Sequence, residues 1–135
     1  IILPVVPANV DVATQEIIEM ARDIDPEGGR TLRILTKPDL VDKGTEHNVI
    51  RLIHDGNLNG QLGWILVRNL SQKQLQAGDA DRDTEEITFY QNAPWDRVPP
   101  ENYGISALMA RLQELLTANV RREFPSVCKT LYCCE

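Results

Sequence analysis

Apolar residues come in two rhythms along this chain, and the switches between them mark its elements. Ile1 to Val6 is a nearly unbroken apolar, β-branched run and predicts a strand buried on both faces. From about Val12 to Ile24 the apolar positions Ile17, Met20, Ala21 and Ile24 fall at helical spacing, and Asp25-Pro26-Glu27-Gly28-Gly29 stops that helix. Thr31 to Thr36 predicts a second short strand, followed by a loop from Lys37 to Gly44. Thr45 is placed to cap a helix through about Asp55, with Val49, Leu52 and Ile53 on one face. A turn over Gly56 to Gly60 then leads to the strand Trp64-Ile65-Leu66-Val67. Strand, helix, strand, helix, strand with short connections predicts a parallel sheet with right-handed crossovers.

The remainder reads as helical. Asp79, Asp81 and Asp83 suit the positive end of a helix running to about Asn92. Asn92-Ala93-Pro94 and Pro99-Pro100 bound a loop. The longest helix is expected from about Ile105 to Phe124, with Ile105, Leu108, Met109, Leu112, Leu115, Leu116 and Val120 as its apolar stripe and Pro125 as its end.

A length of 135 residues suits one domain with a real core. The chain begins at Ile1 without an initiator Met, which points to a fragment or processed product. Net charge is −6, from 20 acids against 14 bases, and this argues against a broad nucleic-acid face or a polybasic membrane patch. The most apolar stretch, Ile1 to Val10, contains Pro4 and Pro7 and is half the roughly 20 residues of a spanning helix. Cys128, Cys133 and Cys134 are an odd, terminally clustered set, no disulfide framework, and suit a reducing cytosolic setting. Asp79, Asp81 and Asp83 resemble the start of a calcium loop, but Thr84 and Tyr90 stand where its glycine and bidentate glutamate belong, so helix capping is the better reading. The cysteines lack a Cys-x-x-Cys pair, and His47 and His54 belong to a different helix, which argues against zinc.

Ligands of open parallel sheets sit at the carboxyl ends of the strands. That rule singles out the loops at Pro7 to Asp11, Lys37 to Gly44 and Arg68 to Gln74. In Thr36-Lys37-Pro38-Asp39, a carboxylate at a strand end can accept from both the ring N–H and the exocyclic amine of guanine. Adenine offers that edge no matching donors, so such a site rejects the wrong base by about 10⁴ or more. Lys37 would lay its aliphatic stem along the base with its ammonium in water. Taken alone, the tetrapeptide is an ordinary strand-to-helix turn. Its weight comes from the next strand end, where Asn69, Ser71 and Gln72 in Arg68-Asn69-Leu70-Ser71-Gln72 can close over the other side of the base.

These residues resemble the dynamin superfamily of large GTPases, the dynamins and the Mx proteins. The resemblance runs from Ile1 to Val127 and rests on three stretches: Val5-Val6-Pro7-Ala8-Asn9-Val10-Asp11 with Ala13-Thr14, Asp25 to Thr31 followed by Ile34 to Gly44, and Val67-x-Asn69-x-Ser71-Gln72. It implies the α/β C-terminal half of a P-loop-GTPase-type parallel sheet, three strands with crossover helices and long helices after them, over residues 1–125. Residues 126–135 would begin a hinge and bundle or form an aberrant Cys-rich tail. Lys37 and Asp39 would bind guanine, Thr36 and Pro38 would shape the loop, and Asn69, Ser71 and Gln72 would complete the pocket. Asp42 would reach across a GTPase-domain dimer. Leu70 departs from the arginine frequent at that place.

The resemblance also implies a parent protein that binds and hydrolyses GTP with Mg²⁺, self-associates through its GTPase domain, and is cytoplasmic and peripheral at membranes, with membrane and microtubule contacts made by parts absent here. Membrane remodelling leads as its role, with an Mx-like antiviral GTPase as the variant. An inactive truncated fragment or interaction module, or a similar domain for another ligand, are the other classes. No Gly-x-x-x-x-Gly-Lys-Ser/Thr loop is present to cradle phosphates or help hold Mg²⁺, so the fragment alone should not hydrolyse GTP. Asp25-Pro26-Glu27-Gly28 matches Asp-x-x-Gly but lies before a strand, at the wrong pole of the sheet, and reads as a turn.

Overall fold

A computed structural model describes residues 1–58, 62–77 and 81–132. Its centre is a three-stranded parallel sheet of β1 (Val5–Pro7), β2 (Arg33–Thr36) and β3 (Trp64–Val67), ordered β1-β2-β3. The expected mixed α/β architecture is present. Register runs Val5↔Ile34↔Ile65 and Val6↔Leu35↔Leu66, so alternate residues of all three strands share a face.

One face carries Val6, Leu35 and Leu66. Against it pack Val49, Ile50 and Ile53 of α2 (Glu46–Leu58), together with Tyr90, Trp95 and Val98. The opposite face carries Leu32, Ile34, Ile65 and Val67. It is covered by Leu108 of α5 (Gly104–Tyr132), with Ile105, Leu112 and Leu115 packed beside it. The remaining helices are α1 (Glu16–Ile24), whose Ile18 joins the first cluster, α3 (Gln72–Ala77) and α4 (Arg82–Tyr90), which carries Tyr90.

Several expectations need correction. Only Val5–Pro7 of the first apolar run is strand, with an isolated bridge from Ile2 to Thr31. That run is not buried on both faces: Ile1, Leu3 and Val5 are exposed. Pro4 breaks the run, and α5 covers the β3 side of its sheet face while leaving Val5 open. The first helix is two pieces, a 3-10 turn over Val12–Thr14 capped by the Asp11 carboxylate and then α1, with Gln15 extended between them. Thr45 does stand before α2, but its hydroxyl donates to the Asp42 carbonyl at 2.8 Å. The helix then runs on through Gly56 to Leu58 where a turn was expected; Asn59 and Gly60 lie outside the described residues.

The last helix passes through Pro125 to Tyr132, and the segment from Cys128 continues it where a break was expected. A proline removes one N–H and crowds the preceding turn, which interrupts a helix without ending it when helix-competent residues follow. Of the expected stripe, Met109, Leu116 and Val120 are exposed, as is Phe124, because the helix outruns the sheet it packs on. Asp79, Cys133 and Cys134 lie outside the described residues. Among the described residues, no helix is long and apolar enough to cross a membrane.

Candidate functional site

The pairing of Thr36 with Val67 brings the carboxyl ends of β2 and β3 side by side, and the two loops of interest leave from there. Thr36 is half-buried; its hydroxyl donates to the Val6 carbonyl at 3.4 Å and its own carbonyl accepts the Ala8 N–H at 2.7 Å. All three strand ends are therefore tied at one level. Lys37 then turns the chain in the left-handed region, φ 55° and ψ 49°, the one non-glycine residue with positive φ among the described residues. Lysine adopts this at a cost of about 1–2 kcal/mol, so the loop shape is enforced by its surroundings. Pro38, fully buried, follows it and opens a 3-10 turn over Pro38–Leu40.

Lys37 and Asp39 project from this turn into solvent. Among the described residues, neither side chain has a hydrogen bond or ion pair, and the Asp39 carboxylate is free to accept. Asp39 nevertheless acts on the core beneath. The Tyr90 phenol is held well above its ordinary range, first by burial and then by Glu86, with Asp39 adding to the effect and Arg68 opposing it. Tyr90 stacks on Tyr103 at 4.3 Å between centroids, and its buried hydroxyl has no hydrogen-bond partner among the described residues.

The second loop is held by contacts to Gln74, Glu85 and Phe89 that the sequence pattern did not single out. Ser71 and Gln74 form a capping box for α3: the Gln74 N–H donates to the Ser71 hydroxyl at 3.3 Å, and Gln74 Oε1 accepts the Ser71 N–H at 3.0 Å. The Ser71 hydroxyl also donates to Gln74 Oε1 at 2.9 Å, so Ser71 is engaged in closing its own loop. Gln74 Nε2 in turn donates to Glu85 Oε2 at 2.7 Å on α4. Arg68 reaches the same helix, donating from Nη1 to the Glu85 carbonyl at 3.2 Å and lying over the Phe89 ring at 5.0 Å. Asn69 and Gln72 are left exposed at the mouth of the loop. The signal for α3 was present as Ser71-x-x-Gln74.

Asp42 faces elsewhere. With Asn9, Asp11, Thr45 and Asn48 it rims a cleft of about 470 Å³ whose floor is Leu35, Val49 and Leu52. So the structure brings Thr36 to Asp39 together with the Arg68 to Gln72 loop and sets Asp42 in a neighbouring cleft. A larger cavity of about 700 Å³ lies between β3 and α5, lined by residues such as Leu62, Ile65, Glu101 and Arg111. Neither candidate loop contributes to it, so the candidate site is assigned by loop chemistry and position rather than by size.

Asp25 behaves as a turn residue. Its carboxylate accepts the Thr31 hydroxyl at 2.6 Å and the Arg30 N–H at 2.9 Å, and the Thr31 bond leads in holding its pKa below the ordinary value. It sits before β2, at the opposite end of the sheet from Lys37.

A parallel sheet whose strand-end loops carry these residues defines a segment of a GTPase-type α/β domain. No family model matches the chain. It is 43% identical over 120 residues to the interferon-induced GTP-binding protein Mx2 of Macaca mulatta, covering 87% of this chain and 16% of that protein. Over 127 residues it is 39% identical to the interferon-induced GTP-binding protein MxB of Danio rerio, covering 91% of this chain and 20% of the relative. Over the shorter stretch of 73 residues, identity to the Mx protein of Epinephelus coioides reaches 52%, covering 54% of this chain and 12% of that protein. The chain belongs to the dynamin superfamily of large GTPases, among its Mx proteins. It spans a fifth or less of the length of these relatives.

Proposed function

We propose that this chain supplies the guanine-reading part of an Mx-type protein that binds and hydrolyses GTP. The observation that carries the reading is the Thr36–Val67 pairing, which starts the Lys37–Asp39 turn and the Asn69–Gln72 loop side by side. In this reading the free Asp39 carboxylate accepts the two donors of the guanine edge, and the exposed Lys37 stem covers one face of the base. Asn69 and Gln72 approach from the other side, Thr36 and Pro38 hold the turn, and Ser71 shapes the second loop through its cap. Asp42, in its separate cleft, faces a second copy of the domain.

GTP is the substrate, and Mg²⁺ with the phosphates is held by residues outside this chain, since phosphoryl transfer depends on groups placed around the phosphates. The proteins quoted above are named as interferon-induced, which favours an antiviral Mx role over membrane fission. A cytoplasmic, membrane-peripheral location belongs to the same proposal.

Competition binding on the complete polypeptide tests it. Labelled GDP should be displaced by GTP and resist an excess of ATP of about 10⁴. Equal displacement by ATP contradicts the reading.

A further inference from the structure

Glu86 is a carboxylate with only 4% of its surface exposed, on the same helix as the buried Tyr90 and flanked by the half-buried Glu85 and the exposed Ile87. Its two oxygens are divided between two elements. Oε1 accepts the backbone N–H of Arg68 at 2.9 Å, the first residue after β3, and Oε2 accepts the backbone N–H of Ile105 at 3.1 Å, in the first turn of α5. A carboxylate at the positive end of a helix is favourably placed. Gly104, which precedes Ile105, has a φ of +86° that glycine adopts readily, and a side chain there would start in ordinary contact with Oε2 at 3.5 Å.

We propose that Glu86 is a positioning residue for the base-side loop 68–72, fixing where that loop leaves β3 relative to the first turn of α5. The inference rests on the proposed guanine reading of Asn69 and Gln72. Glu85, the preceding residue of α4, holds both ends of the same loop, Arg68 through its carbonyl and Gln74 through its carboxylate. Glu86 is buried and reaches neither loop mouth nor base, so it acts only through the Arg68 backbone. The chain before α5 is also tied to β3 by the Leu66–Tyr103 bridge and by the Asn102 amide donating to the Trp64 carbonyl at 2.9 Å, and Glu86 extends this link to the first residue of the loop.

The test compares wild type, Glu86→Ala and Glu86→Gln in the complete polypeptide. Two readouts are taken: amide hydrogen exchange over 68–71 and 104–106, and affinity for GDP and for inosine diphosphate, which lacks the exocyclic amine. Glu86→Ala should speed exchange in both segments. It should also weaken GDP by about tenfold and narrow the GDP-to-inosine-diphosphate ratio. Glu86→Gln has nearly the same shape and keeps one acceptor oxygen, so it should recover part of each effect and carries the test if the alanine variant does not fold. An Ile53→Val variant, which loosens the core elsewhere, should leave the ratio unchanged. Wild-type exchange and affinity in Glu86→Gln and Glu86→Ala alike overturn the proposal. If wild type fails to prefer GDP over ADP, the guanine reading falls, and exchange alone then decides Glu86: faster at Arg68 and Ile105 supports its hold on the loop, unchanged overturns it.

Discussion

The carboxylate of Glu86 accepts the backbone N–H of Arg68 at 2.9 Å, a bond made eighteen residues apart between a buried acid of α4 and the chain leaving β3. This bond and its companion to Ile105 tie α4 to the chain leaving β3 and to the first turn of α5, beside the parallel bridge between Leu66 and Tyr103.

Gly104 is predicted to resist substitution. Its φ of +86° is strained for any residue with a side chain, while a Cβ would meet the Glu86 carboxylate only in ordinary contact. Gly104→Ala should lower the unfolding free energy by about 1 kcal/mol or more, read by urea denaturation.

Lys37 separates loop shape from loop chemistry. Glycine adopts its left-handed backbone without cost, so Lys37→Gly should keep or raise stability by about 1 kcal/mol while weakening guanine nucleotide binding. Lys37→Val, β-branched in the same conformation, should lose both. Melting temperatures and GDP titration on the two variants check this.

Gly56 sits within α2, where alanine would ordinarily stabilise a helix by about 1 kcal/mol. Here a Cβ would fall 2.4 Å from Trp64 Cδ1, against a side chain only 5% exposed. Gly56→Ala should therefore destabilise, by about 1–3 kcal/mol. A stabilised variant would mean that the Trp64 ring yields readily.

The Asp25–Thr31 bond gives stability a pH dependence of known sign. The Asp25 pKa is lowered in the folded chain, so its contribution is present above the ordinary aspartate value of 3.8 and is lost as pH falls through the folded value. Thr31→Val should be less stable than wild type at pH 7, and the gap should close in acid. Denaturation midpoints across that range provide the check.

Local pattern made the sheet legible. Trp64-Ile65-Leu66-Val67 and the Arg33–Thr36 end of Thr31-Leu32-Arg33-Ile34-Leu35-Thr36 are strands because apolar, β-branched runs between turns have few other solutions. Thr36 to Asp39 were readable because a strand end fixes where a loop points. What escaped was set at longer range. Nothing local distinguishes Glu86 from Glu85, since only the packing of α4 decides which acid meets the Arg68 and Ile105 amides. Ile1 to Val6 looked wholly buried because composition does not reveal that nothing among the described residues covers Val5. Pro125 looked like a stop because its cost is local, whereas the run of α5 to Tyr132 depends on residues on both sides.

The central claim is that Asp39 reads the base, and nucleotide preference of Asp39→Asn in the complete polypeptide tests it most directly. Xanthine replaces the exocyclic amine of guanine with a carbonyl, which an asparagine amide can meet and a carboxylate repels. The account predicts that Asp39→Asn loses guanine nucleotide affinity by about a hundredfold or more and gains xanthine nucleotides. Unchanged guanine preference in a folded Asp39→Asn variant would contradict it.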